Sequence, residues 1–119
     1  MTGAVKRKGD RGELEVAGLV ADLTGHPARR RLGAGRLDDV GDIDGVPDTV
    51  IQVAAWRDVL RAVWEKPLAA ERQRQNAGAG YAATFVRLLR RGWRVILTPE
   101  QWAAYSAATG PCPHCGVAP

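Results

Sequence analysis

The sequence predicts a single α/β domain in which helices alternate with about five strands. Its 119 residues are enough to bury one hydrophobic core but not two. Segments with apolar residues at helical spacing alternate with short β-branched runs, and glycine or proline separates most of these segments. The chain contains no internal repeat, so we expect one continuous unit.

The first half of the chain predicts one helix and three strands. Residues 13–23 predict the helix, because apolar side chains recur there at helical spacing and Gly25-His26-Pro27 stops the segment. Residues 28–32 predict a short strand, exposed to solvent or ligand because it carries three consecutive arginines. Residues 41–45 and 49–54 predict a hairpin, and the β-branched run of its second arm is the strongest strand signal in the sequence.

The second half predicts a helix followed by a second hairpin. Residues 57–75 alternate apolar and charged side chains in helical fashion, and Pro67 predicts either one bent helix or two short helices. Residues 81–89 and 93–98 favour two strands joined by a tight turn. A helix is the alternative for residues 81–91, because alanine and leucine would permit it.

The last predicted element is a short helix. Thr98 offers a cap and Pro99 a first-turn proline for a helix through Tyr105. The predicted order is therefore helix, three strands, helix, two strands and helix. The domain covers residues 1–108, and residues 109–119 form a tail.

The composition excludes several classes of protein. No run of about 18 apolar residues occurs, so a membrane span is not expected. Residues 1–8 are basic but are followed by charged sequence, which is not the pattern of a secretory signal. Two cysteines cannot form a disulfide framework, and this agrees with a reducing compartment. A cytoplasmic protein is expected.

The charge is distributed unevenly along the chain, whose net charge is +4. Basic residues crowd the first third, and acidic residues follow immediately. The basic residues are Lys6, Arg7, Lys8, Arg11, Arg29, Arg30, Arg31 and Arg36, and the acidic ones are Asp38, Asp39, Asp42, Asp44 and Asp48. Arginine forks match phosphate oxygens and carboxylates bind divalent cations, so together they favour an enzyme acting on nucleic acid. The alternative is an ordinary solvated surface.

The predicted hairpin carries the chemistry. Side chains two apart in a strand share a face, so Gln52 and Ala54 project together, and the turn at residues 45–47 can bring Asp42 alongside them. This spacing resembles that of a nuclease metal site, with Ala54 at the position where such a motif has a lysine. Taken alone, Asp42 could simply form a turn.

Four segments together carry a resemblance to a known family. They are Lys8-Gly9-Asp10-Arg11-Gly12-Glu13, Gly41-Asp42-Ile43, Ile51-Gln52-Val53 and the closing unit 93–105. With them the chain resembles PD-(D/E)xK nucleases of the archaeal and phage Holliday junction resolvase type. The resemblance covers most of the chain and implies a restriction-endonuclease-like fold, with a mixed central sheet flanked by helices.

The resemblance also implies an activity. A crossover-junction endodeoxyribonuclease would hydrolyse phosphodiesters of four-way or other branched DNA as a symmetric homodimer, in the host cytoplasm if the chain is phage-encoded. Glu13, Asp42 and Gln52 would hold Mg²⁺ or Mn²⁺, with Asp42 at the centre. Because the Gln52 amide is neutral, we expect modest metal affinity. Glu13 on its own could equally stabilise the start of a helix.

Ala54 predicts impaired catalysis. The expected lysine would orient or deprotonate the attacking water, and loss of such a group typically costs about 10²- to 10⁴-fold in rate. Three explanations stay open: an engineered Lys→Ala change, a migrated cation such as Lys66 or Arg57, and a naturally inactive protein. The alternative function is accordingly a non-catalytic DNA-binding or assembly protein on the same fold.

Two further sets of residues are candidates for binding. The eight basic residues of the first third, from Lys6 to Arg36, are candidates for phosphate contacts. Cys112 and Cys115 lie in a CPxCG segment that resembles half of a zinc ribbon. Structural Zn²⁺ is bound by four ligands, so the remaining two would come from His114, His26, a second subunit or a segment outside this sequence. The alternative is a tail with reduced thiols.

Overall fold

The computed structural model describes residues 3–31 and 41–109, and within them the elements follow the predicted order. The helices are α1 (Gly3–Thr24), α2 (Val59–Ala77) and α3 (Pro99–Thr109), and the strands are β1 (Arg29–Arg30), β2 (Ile43–Asp44), β3 (Thr49–Ala54), β4 (Tyr81–Leu88) and β5 (Gly92–Ile96). The second hairpin is confirmed, and a helix over residues 81–91 is wrong.

The five strands form one mixed sheet in chain order, β1 to β5. Neighbouring strands from β1 to β3 are antiparallel, β4 runs parallel to β3, and β5 returns antiparallel to β4. A parallel pair needs a crossover connection, and α2 supplies it. The predicted fold class, an α/β domain with a mixed five-stranded sheet and flanking helices, is confirmed.

The two faces of the sheet are covered by different helices. On one face, Val16 of α1 lies in a cluster with Ile51 and Val53 of β3. On the other face, Ala62 of α2 lies in a cluster with Ala54 of β3. Because alternate side chains of a strand point to opposite faces, β3 is buried on both sides, which explains its continuous apolar run.

The structure differs from the predictions for two of the helices. The first helix begins at Gly3 rather than Glu13; residues 3–12 contain three glycines and lack the apolar spacing that marks a buried face, so neither propensity nor periodicity indicated this part of the helix. The second helix is continuous from Val59 to Ala77 with Pro67 inside it, so the division into two short helices is wrong.

The start of α3 follows the prediction closely. The Thr98 hydroxyl accepts the Gln101 N–H at 3.1 Å, and the Gln101 side-chain oxygen accepts the Thr98 N–H at 3.0 Å. This reciprocal pair satisfies two N–H groups that the helix itself leaves unbonded. The buried Gln101 amide also donates to the Pro67 carbonyl at 3.2 Å, which fixes α3 beside α2.

Candidate functional site

Asp42 is fixed to β3 on both sides of Gln52. Its backbone N–H donates to the Ile51 carbonyl at 2.8 Å, and its Oδ2 accepts the Val53 N–H at 2.8 Å. The carboxylate therefore lies beside the strand that carries Gln52. The Arg31 N–H donates to the Asp42 carbonyl at 2.8 Å, so β1 secures this segment from its other side.

Gln52 is buried on the face of the sheet that α2 covers. Only 4% of it is exposed, and its Oε1 has no hydrogen-bond partner within the described part of the chain. Its partner on β4, Thr84, is fully buried and its hydroxyl is likewise unsatisfied among the described residues. Leaving such an atom unpaired costs about 1–3 kcal/mol. The Gln52 and Thr84 side-chain oxygens can therefore each accept a hydrogen bond from a further donor.

Ala54 occupies an apolar contact between β3 and α2. It is 0% exposed and packs with Ala62 and Val86, with Val59 and Val63 at the edge of the same cluster. The position at which the nuclease pattern expects a lysine is therefore enclosed by aliphatic side chains. Burial among such side chains disfavours a charged ammonium.

Glu13 projects from α1, the helix on the opposite face of the sheet. Its Oε2 accepts the Arg30 Nε–H at 2.7 Å, and both side chains are about three-quarters buried. Gly12 allows α1 to pass close to the end of β3, because a Cβ there would lie 3.2 Å from Ala55 Cβ and 3.4 Å from the Trp93 ring. Glu13 is thereby held at the same end of the sheet as Gln52, with an arginine on its carboxylate.

These residues fit the implied Mg²⁺ or Mn²⁺ only in part. The free Gln52 Oε1 and the Asp42 carboxylate are oxygen donors of the kind that hard cations prefer. The carboxylate of the third predicted ligand, Glu13, already forms an ion pair with Arg30. Among the described residues, no three His, Cys, Asp or Glu side chains are grouped so as to hold a metal ion. Of the three predicted ligands, only Gln52 and Asp42 therefore lie on neighbouring segments with oxygen donors of the right kind.

The three consecutive arginines of the predicted binding set are largely engaged in ion pairs. Arg29 Nη2 lies 3.3 Å from Asp44 Oδ2, and Arg31 Nη2 lies 3.2 Å from Asp44 Oδ1. Arg30 pairs with Glu13, so each of the three guanidinium groups lies against a carboxylate. The net positive charge that Arg29, Arg30 and Arg31 present to a phosphate is therefore smaller than the sequence alone predicts.

The other predicted binding residues fall into two groups. Arg11 is exposed on α1. Lys6, Arg7 and Lys8 belong to the first turns of that helix, but their side chains lie outside the described part of the structure, as do Arg36, Cys112 and Cys115.

The predicted phosphate-binding set did not include four exposed arginines that the fold brings to the same end of the sheet; one of them, Arg57, was predicted only as a possible migrated cation. Because β4 runs parallel to β3, the β4–β5 turn lies at the end where β3 finishes. Arg90 and Arg91 in the turn, Arg94 on β5 and Arg57 after β3 are all exposed. The Arg90-Arg91-Gly92 triplet between two predicted strands was the available signal.

The fold defines an α/β protein with a mixed five-stranded sheet, and none of the helices in the described ranges is long and apolar enough to cross a membrane. Comparison of the chain with models of protein families, with curated proteins and with solved structures gives no match.

Proposed function

We propose that this chain binds branched DNA as a homodimer, in the manner of the Holliday junction resolvases that it resembles, and that it hydrolyses DNA only weakly. The observation that carries the proposal is the Asp42 carboxylate fixed beside Gln52 on a mixed sheet of the implied class. Exposed arginines at the same end of the sheet support a polyanionic partner. A reducing, cytoplasmic setting belongs to the proposal.

The roles of the site residues follow from their chemistry. A divalent cation, when bound, would neutralise a phosphate oxygen and activate water. Asp42 and the Gln52 amide oxygen would hold it, while Glu13 lies on the α1 side of the sheet and pairs with Arg30. Ala54 supplies no group that could orient or deprotonate the water. Binding without efficient cleavage is the expected behaviour.

The second candidate is a DNA-binding or assembly protein with no catalytic activity. Two observations favour it: Ala54 forms part of a close apolar contact, and Arg30 stands on the carboxylate of Glu13. An alanine that packs this well behaves as a structural residue of the β3–α2 interface. The two candidates predict the same DNA binding and differ only in metal-dependent cleavage.

The first test is a competition between DNA shapes. We expect a four-way junction to bind at least about tenfold more tightly than a linear duplex of equal length, because recognition would follow the shape of the DNA. Fluorescence anisotropy with labelled junction and unlabelled competitors, in EDTA, measures this without cleavage. Equal affinity for both would remove the resolvase-type proposal, and no binding to either would remove DNA binding altogether.

An apolar row on α2 supports the homodimer. Leu60, Trp64 and Leu68 are 84%, 74% and 52% exposed and are spaced four apart, so they lie along one side of the helix. A two-fold axis at Trp64 would bring Leu60 of one copy against Leu68 of the other, as a self-complementary interface requires. Tryptophan at the centre suits such an interface, since it often carries much of the binding energy.

Leu60→Glu is expected to convert a dimer into a monomer. The new carboxylate would be buried without a partner at the interface, whereas the monomer already exposes this position. Sedimentation velocity of both proteins measures the mass. The matched control is Leu23→Glu, which changes a leucine of similar exposure, 75%, at the end of α1. If Leu60→Glu stays dimeric, or both variants dissociate alike, α2 does not form the interface.

A further inference from the structure

The β4–β5 turn extends beyond the candidate site at the same end of the sheet. Ala54 pairs with Val86, and β4 continues two residues further, to Leu88, before the turn. At about 3.3 Å per strand residue, the turn begins roughly 7 Å beyond the level of Ala54. Side chains at the turn are therefore placed to meet a molecule that covers this end of the sheet.

This turn carries a concentration of positive charge. Arg90 and Arg91 are exposed, and no acidic side chain of the described ranges forms an ion pair with either. Arg94 Nη1 donates to the carbonyls of Arg91 and Trp93 at 3.1 and 3.0 Å, which keeps its charge next to the turn. Arginines held in this way have their remaining N–H groups available for phosphate oxygens.

Arg90 is also conformationally unusual. Its φ is 60°, and the Arg91 N–H donates to the Leu88 carbonyl at 3.1 Å, so Arg90 is the third residue of a four-residue turn. Turns with a positive φ at this position favour glycine or asparagine. Packing does not require a long side chain there, because Arg90 is exposed. An arginine at a position better suited to glycine indicates a role for its charge.

The opposite end of the sheet, where β4 begins, carries acidic side chains. A cavity of about 240 Å³ there is lined by Glu71, Glu100, Arg74 and the start of β4. Arg74 is bonded to Glu71 at 2.7 Å, and Asp48 lies next to Gly80 at the same end. A polyanion would therefore approach the sheet from the end that carries the β4–β5 turn.

We propose that Arg90 and Arg91 bind the phosphodiester backbone of a DNA duplex arm that lies across the end of the sheet where β3 and β4 finish. The inference rests on the proposed DNA binding and adds a contact surface that the arginine-rich first third does not contain. Both guanidinium groups would contact phosphates rather than bases, so the contribution should be independent of sequence.

The test measures how DNA affinity depends on salt in the full chain. Arg91→Gln is compared with Arg72→Gln, which removes the same charge from another exposed arginine, on α2. We expect Arg91→Gln to weaken binding about tenfold and to lower the slope of log K against log salt by about 1. Arg72→Gln should change neither. The double variant Arg90→Asn/Arg91→Gln should lower the slope by about 2.

Arg90→Gly separates charge from folding. Glycine suits a φ of 60°, so the variant should keep or raise Tm while weakening DNA binding about tenfold. A variant that binds DNA like the wild type would overturn the assignment of Arg90.

Each remaining outcome is decisive. Equal slope changes in Arg91→Gln and Arg72→Gln would show a diffuse field and overturn the turn as a contact surface. If the wild type binds DNA and Arg91→Gln binds it equally well, the turn is not a contact surface, but the proposed DNA-binding function still stands. Absence of wild-type binding to any DNA would instead refute the proposed function.

Discussion

Ala54→Lys, combined with Gln52→Glu, is expected to give metal-dependent cleavage of a four-way junction about 10²- to 10⁴-fold above the wild-type rate. The lysine would supply the missing acid–base group, and the glutamate would add a second full charge for the cation beside Asp42. Residues 52 and 54 share one face of β3, so the two new side chains can also pair with each other.

The burial of Ala54 makes the control essential. A lysine there must pass Ala62 and Val86, which are both buried, and extend its ammonium towards the end of the strand. Ala54→Met introduces a long unbranched side chain of comparable size without a charge, so it separates the packing effect from the chemistry. Labelled junction incubated with Mg²⁺, Mn²⁺ or EDTA, followed by denaturing electrophoresis, measures the cleavage.

Two outcomes would contradict the nuclease proposal. If the single lysine variant and the double variant stay folded and bind junction but show no gain over Ala54→Met, the catalytic reading fails and the non-catalytic binder stands. Cleavage that is unchanged by EDTA would exclude the metal that the resemblance implies. A gain with Ala54→Lys alone would support the view that Ala54 replaces a catalytic lysine.

Gly45→Ala is expected to destabilise the domain by about 3 kcal/mol or more, which lowers Tm by roughly 10 °C or more. Gly45 has a φ of 97° in the turn between β2 and β3, where an L side chain is strained. A Cβ there would also overlap the carbonyl group of Pro27, which leads into β1. Because the overlapping Pro27 oxygen and carbon are both backbone atoms, the overlap can be relieved only by moving β1 away from β2.

Gly25→Ala is the matched control for this effect. Gly25 also has a positive φ, 75°, but a Cβ there would meet no atom within 4 Å. We therefore expect it to cost only the backbone strain, about 1–2 kcal/mol. Thermal and urea unfolding of both variants provide the comparison. Equal losses in the two variants would mean that the close approach to Pro27 does not limit the fold.

The predicted parts of the fold are those with a local cause. The third strand, Thr49–Ala54, has the predicted bounds because a β-branched run lies between turn residues. The start of α3 was predictable because Thr98 and Gln101 are three residues apart and satisfy each other's backbone groups. The start of α1 was not, since residues 3–12 carry no apolar residues at helical spacing and so give no periodic signal.

The candidate site divides in the same way. Asp42 and Gln52 were predicted to be neighbours because a short hairpin joins them, and the bonds from Asp42 to Ile51 and Val53, on either side of Gln52, depend on that hairpin. The pairing of Arg30 with Glu13 joins residues that are 17 apart on different elements, and the sequence around either residue does not predict it. The aliphatic enclosure of Ala54 likewise depends on where α2 crosses the sheet.

The sequence by itself determined the kinds and order of the elements, the turn and cap residues, and the oxygen donors that lie along one hairpin. These depend on interactions within a few residues. Only the tertiary structure decided that β4 lies parallel to β3, which brings the Arg90–Arg91 turn to the end of the sheet where Asp42 and Gln52 lie. It also decided that Arg30 forms an ion pair with Glu13. Such contacts close long loops, and burial and packing across the whole domain, rather than local propensity, select among the ways of closing them.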